Sequence, residues 1–193
     1  IGKAVDFNET ANSYVTIPDN NDLRLNTDWT IHFWYKTNSF VNSYPVFLTK
    51  GNGSGANSGY TIWYTTNLSP VMKRNNFGCT GIPVNMNAWN HYAFAYKNDT
   101  NTLTLYQNGV LTKTCTVNYP DDAYSGALLL GGGYQHGNGA IDEVTVLDKA
   151  LTAADVNRFY AVGVRKYGLE RSGNNGSSWQ PVNGTLQEFT ATD

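Results

Sequence analysis

The chain has 193 residues, the size of one large domain and too short for two full ones. Hydrophobic residues make up 40%, with five Trp, eight Phe and thirteen Tyr, enough for a sizeable core. Charged residues make up only 15%, against about 25% in an average globular domain. Net charge is −2 with no basic cluster, which excludes an electrostatic footprint for nucleic acid, and no run of eighteen apolar residues offers a membrane-spanning helix. Asn is the commonest residue; with Gly and Thr it supplies turns between aromatic and β-branched runs, a mixture that favours strands.

In chain order, Lys3–Phe7 and Tyr14–Ile17 open the set of β-type runs. Ile1 leads directly into them without a signal peptide, so the chain is expected to be a mature or excised segment. In Trp29–Lys36, Trp29, Ile31, Phe33 and Tyr35 alternate with Thr30, His32, Trp34 and Lys36. Period two predicts a strand, and Trp34 on the second face predicts cover on both sides. Pro45–Lys50 and Tyr60–Thr65 follow, separated by the polar loop Gly51–Gly59. Next come Trp89–Lys97, Thr102–Gln107 and Val110–Val117; Asn108-Gly109 between the last two is the strongest hairpin signal, with Leu103, Leu105 and Val110 expected along one side. Ala127–Leu130 and Ala140–Leu147 complete the strands.

One helix is predicted, over Ala153–Val162. Thr152 caps it with Asp155 in a short capping box, Val156, Phe159 and Tyr160 form the buried stripe, and Gly163 ends it. Residues 1–163 are thus one domain. Residues 164–193 read as a C-terminal extension, either extra edge strands of this domain or the start of a following module, with strand-like pieces at Tyr167–Ser172, Trp179–Val182 and Leu186–Thr190. Cys79 and Cys115 both lie in strand-like stretches and are either a disulfide or two buried thiols; paired, they would be worth roughly 3–4 kcal/mol. Asn-x-Ser/Thr sequons start at Asn8, Asn52, Asn67, Asn98, Asn175 and Asn183, but so Asn- and Thr-rich a chain generates them by chance.

Three segments, in order, resemble laminin-G-like domains. Lys3-Ala4-Val5-Asp6-Phe7 with Tyr14-Val15-Thr16-Ile17-Pro18 is similar to "GKAL.FDG…YV.IP". Trp89-Asn90-His91-Tyr92-Ala93 with Leu105-Tyr106-Gln107-Asn108-Gly109-Val110 is similar to "W.HVA…LYVNG". Gly139-Ala140-Ile141-Asp142-Glu143-Val144 with Ala150-Leu151-Thr152-Ala153-Ala154-Asp155-Val156 is similar to "G.IDEV…ALS..EI". The resemblance implies an all-β, concanavalin A-like jelly roll of two antiparallel sheets with one short helix near the C-terminus, the architecture that the strand series reaches independently. Such domains usually carry an earlier strand before the first motif; Val164–Arg171 is expected to fill that edge.

Glycan hydrolases share this sandwich, but the carboxylate pattern E-x-D-x-(x)-E of its retaining glucanases is absent. The four glutamates are Glu9, Glu143, Glu170 and Glu188, and alternation sends Asp142 and Glu143 to opposite faces. No G-x-S-x-G elbow occurs, His32 and His91 sit within strands, and no helix follows Gly131-Gly132-Gly133 to make a phosphate cradle. The resemblance places Asp142 at a position associated with a structural ion. Asp6, Asn8 and carbonyls of the Gly137–Gly139 loop could join it around Ca²⁺, the alternative being that Asp142 receives backbone N–H bonds. Asp121-Asp122 is expected to be a solvated turn.

Sugar recognition needs exposed aromatics beside polar groups. Trp63 and Tyr64 occupy opposite faces of one strand; Tyr134, His136 and Asn138 share a Gly-rich loop; Tyr44, Tyr119 and Tyr124 are further loop candidates. The leading expectation is a non-catalytic extracellular binding domain for a glycan or glycosylated surface, with calcium as a candidate structural cofactor. Its alternative is a structural or adhesive domain of a cell-surface adhesin or virion decoration or fibre protein, contacting other copies or subunits.

Overall fold

The computed structural model describes residues 4–8, 11, 13–39, 44–51, 59–74, 76–84, 86–119, 121–133, 135–167, 170–171 and 180–181. Its strands are β1 (Val5–Phe7), β2 (Val15–Ile17), β3 (Trp29–Thr37), β4 (Val46–Gly51), β5 (Gly59–Tyr64), β6 (Pro70–Arg74), β7 (Phe77–Thr80), β8 (Trp89–Lys97), β9 (Thr102–Gln107), β10 (Val110–Thr116), β11 (Leu128–Leu130), β12 (Gly139–Leu147), β13 (Glu170–Arg171) and β14 (Gln180–Pro181). Among the described residues one α-helix, α1, spans Ala153–Tyr167, and a short 3-10 turn spans Asn21–Leu23. The first sheet runs β1-β12-β3-β8-β9-β10 and the second β2-β11-β4-β5-β6-β7, each with antiparallel neighbours. This is the jelly-roll sandwich that the alternating runs predict. β6 was not foreseen: its Val71, Lys73 and Arg74 hide the apolar rhythm.

Alternation explains the core. Trp29, Ile31, Phe33 and Tyr35 of β3 and Tyr92, Phe94 and Tyr96 of β8 point inwards to meet Phe47, Leu48, Tyr60, Ile62, Tyr64 and Met72 of the second sheet. Phe47 is the aromatic centre, 4.3 Å edge-on from Tyr64 and 4.4 Å from Tyr35 between ring centroids. Burying each such ring contributes about 1.5–3 kcal/mol. The hydroxyls of Tyr64 and Tyr92 hydrogen-bond each other inside this core, so neither is buried unsatisfied. Burial is the main reason the Tyr64 hydroxyl is pushed up to about 12.

Cys79 on β7 is bonded to Cys115 on β10, with Cα atoms 6.0 Å apart. These two strands are the edges of different sheets, so the disulfide closes one open side of the sandwich. At the β9–β10 hairpin both Asn108 (φ 51°) and Gly109 (φ 77°) are left-handed, as a tight two-residue turn requires. Asn108 Oδ1 also accepts the His91 N–H and its Nδ2 donates to Asn90 Oδ1. Leu103 and Leu105 are buried as expected, whereas Val110 points to solvent, 63% exposed.

Outward residues of the first sheet form a second, smaller core. Ala93, Ala95 and Tyr106 pack with Leu151 and with Val156 of α1. Trp34 stacks on Tyr160 at 5.7 Å, so the cover on both faces expected of β3 is present. The helix begins as its sequence predicts: Asp155 N–H donates to Thr152 Oγ1 while Asp155 Oδ2 accepts from the Thr152 amide and hydroxyl. It does not stop at Gly163. A Cβ on Gly163 would lie 2.3 Å from Trp34 Nε1, so this glycine permits close approach of helix to sheet and the helix continues to Tyr167. Val164 to Tyr167 are therefore helical, and Glu170–Arg171 pairs with Gln180–Pro181. The expected edge strand at Val164–Arg171 does not form; Glu170–Arg171 belongs to a separate two-stranded sheet.

Candidate functional site

The two outer faces of the sandwich differ. On the second sheet, cross-strand register sets Thr16, Leu129, Thr49, Thr61 and Lys73 in one row. Val46, Trp63, Val71 and Thr80 form the next row. None of these nine positions is a carboxylate. Tyr64 points the other way and is fully buried, whereas Trp63 lies outward and half-buried. The YTIWYTT run therefore places one aromatic in the core and one on this face.

The Gly-rich loop after β11 folds against the same end of the face. A Cβ at Gly133 would sit 2.7 Å from Thr49 Cγ2 and 4.0 Å from Val46 Cγ1. Val46 is in turn the register partner of Trp63. The loop and Trp63 thus flank Val46 from opposite sides. His136 is half-buried in this loop, with its ring 6.0 Å from that of Tyr14. Asn138 is half-buried; its Nδ2 donates to Ser39 Oγ and its carbonyl accepts the Asn38 N–H at 3.0 Å. Tyr134 lies outside the described residues.

Tyr14, 52% exposed, completes this rim and was missed in the sequence. The signal was available: Val15 and Ile17 turn inwards, so alternation sends Tyr14 and Thr16 outwards. Tyr44, 41% exposed, immediately precedes Pro45, whose carbonyl accepts the Tyr64 N–H at 3.1 Å. Two other loop tyrosines are structural. Tyr119 is buried 5.1 Å from the Tyr96 ring. Tyr124 lies 5.2 Å beneath the fully buried Lys50 ammonium, which donates to Asp19 Oδ1 and to the Tyr124 and Gly126 carbonyls. Asp122 is also not a solvated turn residue: it is buried, and its Oδ1 accepts the Tyr124 N–H at 3.0 Å.

The calcium candidates lie on the first sheet. Asp6 pairs with Ala140, two positions from Asp142 along β12. Asp142 Oδ1 accepts the Glu143 N–H at 2.7 Å and Asn8 Oδ1 accepts the Ala11 N–H at 3.3 Å. No group of three or more His, Cys, Asp or Glu able to hold an ion occurs among the described residues. Ca²⁺ needs six to eight oxygens; of these donors, Asp142 and Asn8 each have one side-chain oxygen engaged by a backbone amide. β12 is bulged between Asp142 and Thr145, with Glu143 at φ 53°, so simple alternation of the two carboxylates does not hold there.

The chain belongs to the concanavalin A-like lectin/glucanases superfamily, whose laminin-G-type family model matches residues 8–157. No curated protein sequence matches it. Three solved structures share the fold at low identity. A Bacteroides ovatus protein has a TM-score of 0.66 and 15% identity over 80% of this chain, which spans 46% of that protein's length. Domain 4 of AbnA, an extracellular arabinanase of Geobacillus stearothermophilus, was solved in complex with arabinotriose; it has a TM-score of 0.64 and 22% identity, over 83% of this chain and 77% of its own. The CBM40 of a Ruminococcus gnavus IT-sialidase, bound to α2,3-sialyllactose, has a TM-score of 0.61 and 18% identity, over 77% and 96%.

Proposed function

We propose that this domain is a non-catalytic carbohydrate-binding module of an extracellular protein, holding its glycan on the outer face of the second sheet at Trp63. The observation that carries this reading is the half-buried Trp63 indole on a sheet face that no helix covers among the described residues, with half-buried Lys73 and exposed Thr80 at neighbouring register positions. An indole face stacks on the apolar face of a pyranose or furanose ring, and neighbouring hydroxyl, ammonium and loop groups bond its hydroxyls. Tyr14, His136 and Asn138 supply such chemistry at the rim. The arabinotriose and sialyllactose held by two similar structures support a glycan as the ligand class. The lack of a carboxylate among the nine face positions supports binding without hydrolysis.

Calorimetric titration against a panel of neutral and acidic oligosaccharides and polysaccharides tests the reading. At least one glycan should bind. Trp63→Ala should weaken that binding about tenfold or more, equal to ~1.4 kcal/mol, with the fold retained by circular dichroism. A folded Trp63→Ala variant with undiminished affinity would remove the site, and silence across the whole panel would remove the function. A second reading, assembly with other subunits, is favoured by the exposed Val110 and Leu111 on edge strand β10. Concentration-dependent mass in light scattering is its signature.

A further inference from the structure

The layer between α1 and the first sheet contains a feature that the glycan reading does not use. His32 on β3 and His91 on β8 both face the helix, with ring centroids 5.5 Å apart. Both are buried, and no ring nitrogen of either has a hydrogen-bond partner among the described residues. Their surroundings are aromatic: Phe159 of α1 lies 4.4 Å from His32, while Trp34 and Tyr160 lie 5.3 and 6.2 Å from His91. Buried polar groups are ordinarily paired. Two adjacent unpaired imidazoles under one helix hold that helix only while they are neutral.

We propose that the α1–sheet interface is an acid-sensitive latch, in which protonation of the His32–His91 pair releases α1 from the sandwich. Placing two imidazolium charges within 5.5 Å in a layer of Trp, Phe, Tyr and Ala sets like-charge repulsion on top of desolvation. The groups around the pair do little to offset this. From β12, Glu143 favours the charged form of His32, but burial outweighs it and His32 is shifted downwards. From α1 Tyr160 lies 6.2 Å from His91, and β9 contributes Tyr106, which is buried among Ala93 and Ala95. Burial, with the neighbouring His32 second, holds His91 down at about 3. The docked state therefore binds fewer protons than the released one. Its stability is fully present above the free imidazole value of about 6.5 and is lost as pH falls towards the docked value.

A released helix would uncover Trp34 and Tyr106 while the disulfide and the inter-sheet core, which contain no histidine, stay closed. Hydrogen exchange of the full chain at about pH 7 and about pH 4, corrected for intrinsic rates, tests the latch. Amides of 153–164 should lose protection tenfold or more at the lower pH, while those of β5 and β8 keep theirs. The double variant His32→Gln with His91→Gln, which retains the Asp155 cap, should stay docked at the lower pH. Helix protection unchanged between the two pH values, or release of the double variant at the wild-type pH, overturns the proposal. Should that variant fail to fold, the wild-type ring signals decide. A His91 imidazole that gains its proton near pH 6.5 with the helix still protected is equally fatal, and uptake coincident with helix release supports the latch.

Discussion

Two tryptophans on the outward faces of the two sheets show how one pleat pattern yields two outcomes. Trp34 on the first sheet is buried against Tyr160 and Gly163. Trp63 on the second is half-buried, with no helix over it among the described residues. Both occupy the same kind of position, a strand residue turned away from the inter-sheet core. Their neighbours make the difference. Around Trp34 the outward residues include Ala93 and Ala95, short enough for a helix to approach, and α1 presents Val156 and a glycine to them. Around Trp63 they include half-buried Lys73 and exposed Thr80, which a helix would have to desolvate. A helix therefore settles on the first face and not on the second.

The strongest way to break this comparison is to weigh the inter-sheet core against the helix layer. Phe47→Ala removes a fully buried ring at the centre of the aromatic cluster and should cost about 3–5 kcal/mol in urea denaturation. Val156→Ala, under the helix, should cost about 1–2 kcal/mol. Equal costs would mean that the helix is as integral to the sandwich as its core, and the picture of one sandwich with a detachable cover would fail.

Next in size is the disulfide. Cys79 and Cys115 are 36 residues apart, and replacing both with Ala should lower stability by about 3–4 kcal/mol on the chain-entropy view. It sharpens the comparison because the bond ties edge strand β7 of the second sheet to edge strand β10 of the first and touches neither outer face. Glycan affinity at Trp63 should survive its loss once temperature is lowered to keep the variant folded. An affinity that falls with the disulfide would place the site at the β7–β10 edge.

How much of this was legible in the sequence follows from the same physics. Strict alternation announced β3, the pair Asn108-Gly109 announced the β9–β10 hairpin, and Thr152 with Asp155 announced the helix start. The helix end was not legible, because a glycine after a helical run signals a stop unless a tryptophan waits opposite it in space. β6 escaped because its inward Arg74 is buried by Leu25, Asn26 and Tyr119, contacts supplied by distant loops. At the site, alternation could say that Trp63 and Tyr64 part company but not which faces water. That depends on which sheet the helix covers, a long-range outcome that local period cannot encode. Tyr14 follows the same rule, one residue ahead of the three-residue strand β2. Cysteine pairing stayed open for a related reason, since it required knowing that two edge strands of different sheets meet.

The smallest expected effect concerns calcium. Thermal unfolding in millimolar calcium and then in excess EDTA should give the same midpoint to within about a degree. A specific ion at a hundredfold over its dissociation constant would add about 2.7 kcal/mol, a shift of several degrees in a domain of this size. The expectation of no shift rests on how the Asp142 and Asn8 oxygens are used. Asp142 Oδ1 accepts the amide of Glu143, a residue held at φ 53°. An ion drawing on that oxygen would have to replace a bond that steadies a strained backbone. Asn8 Oδ1 likewise closes its own turn on Ala11. A calcium-dependent rise would mean that these local bonds yield to coordination and that the first sheet carries an ion on its outer face. The contrast between a helix-covered face and a proposed binding face would then no longer separate the two sheets.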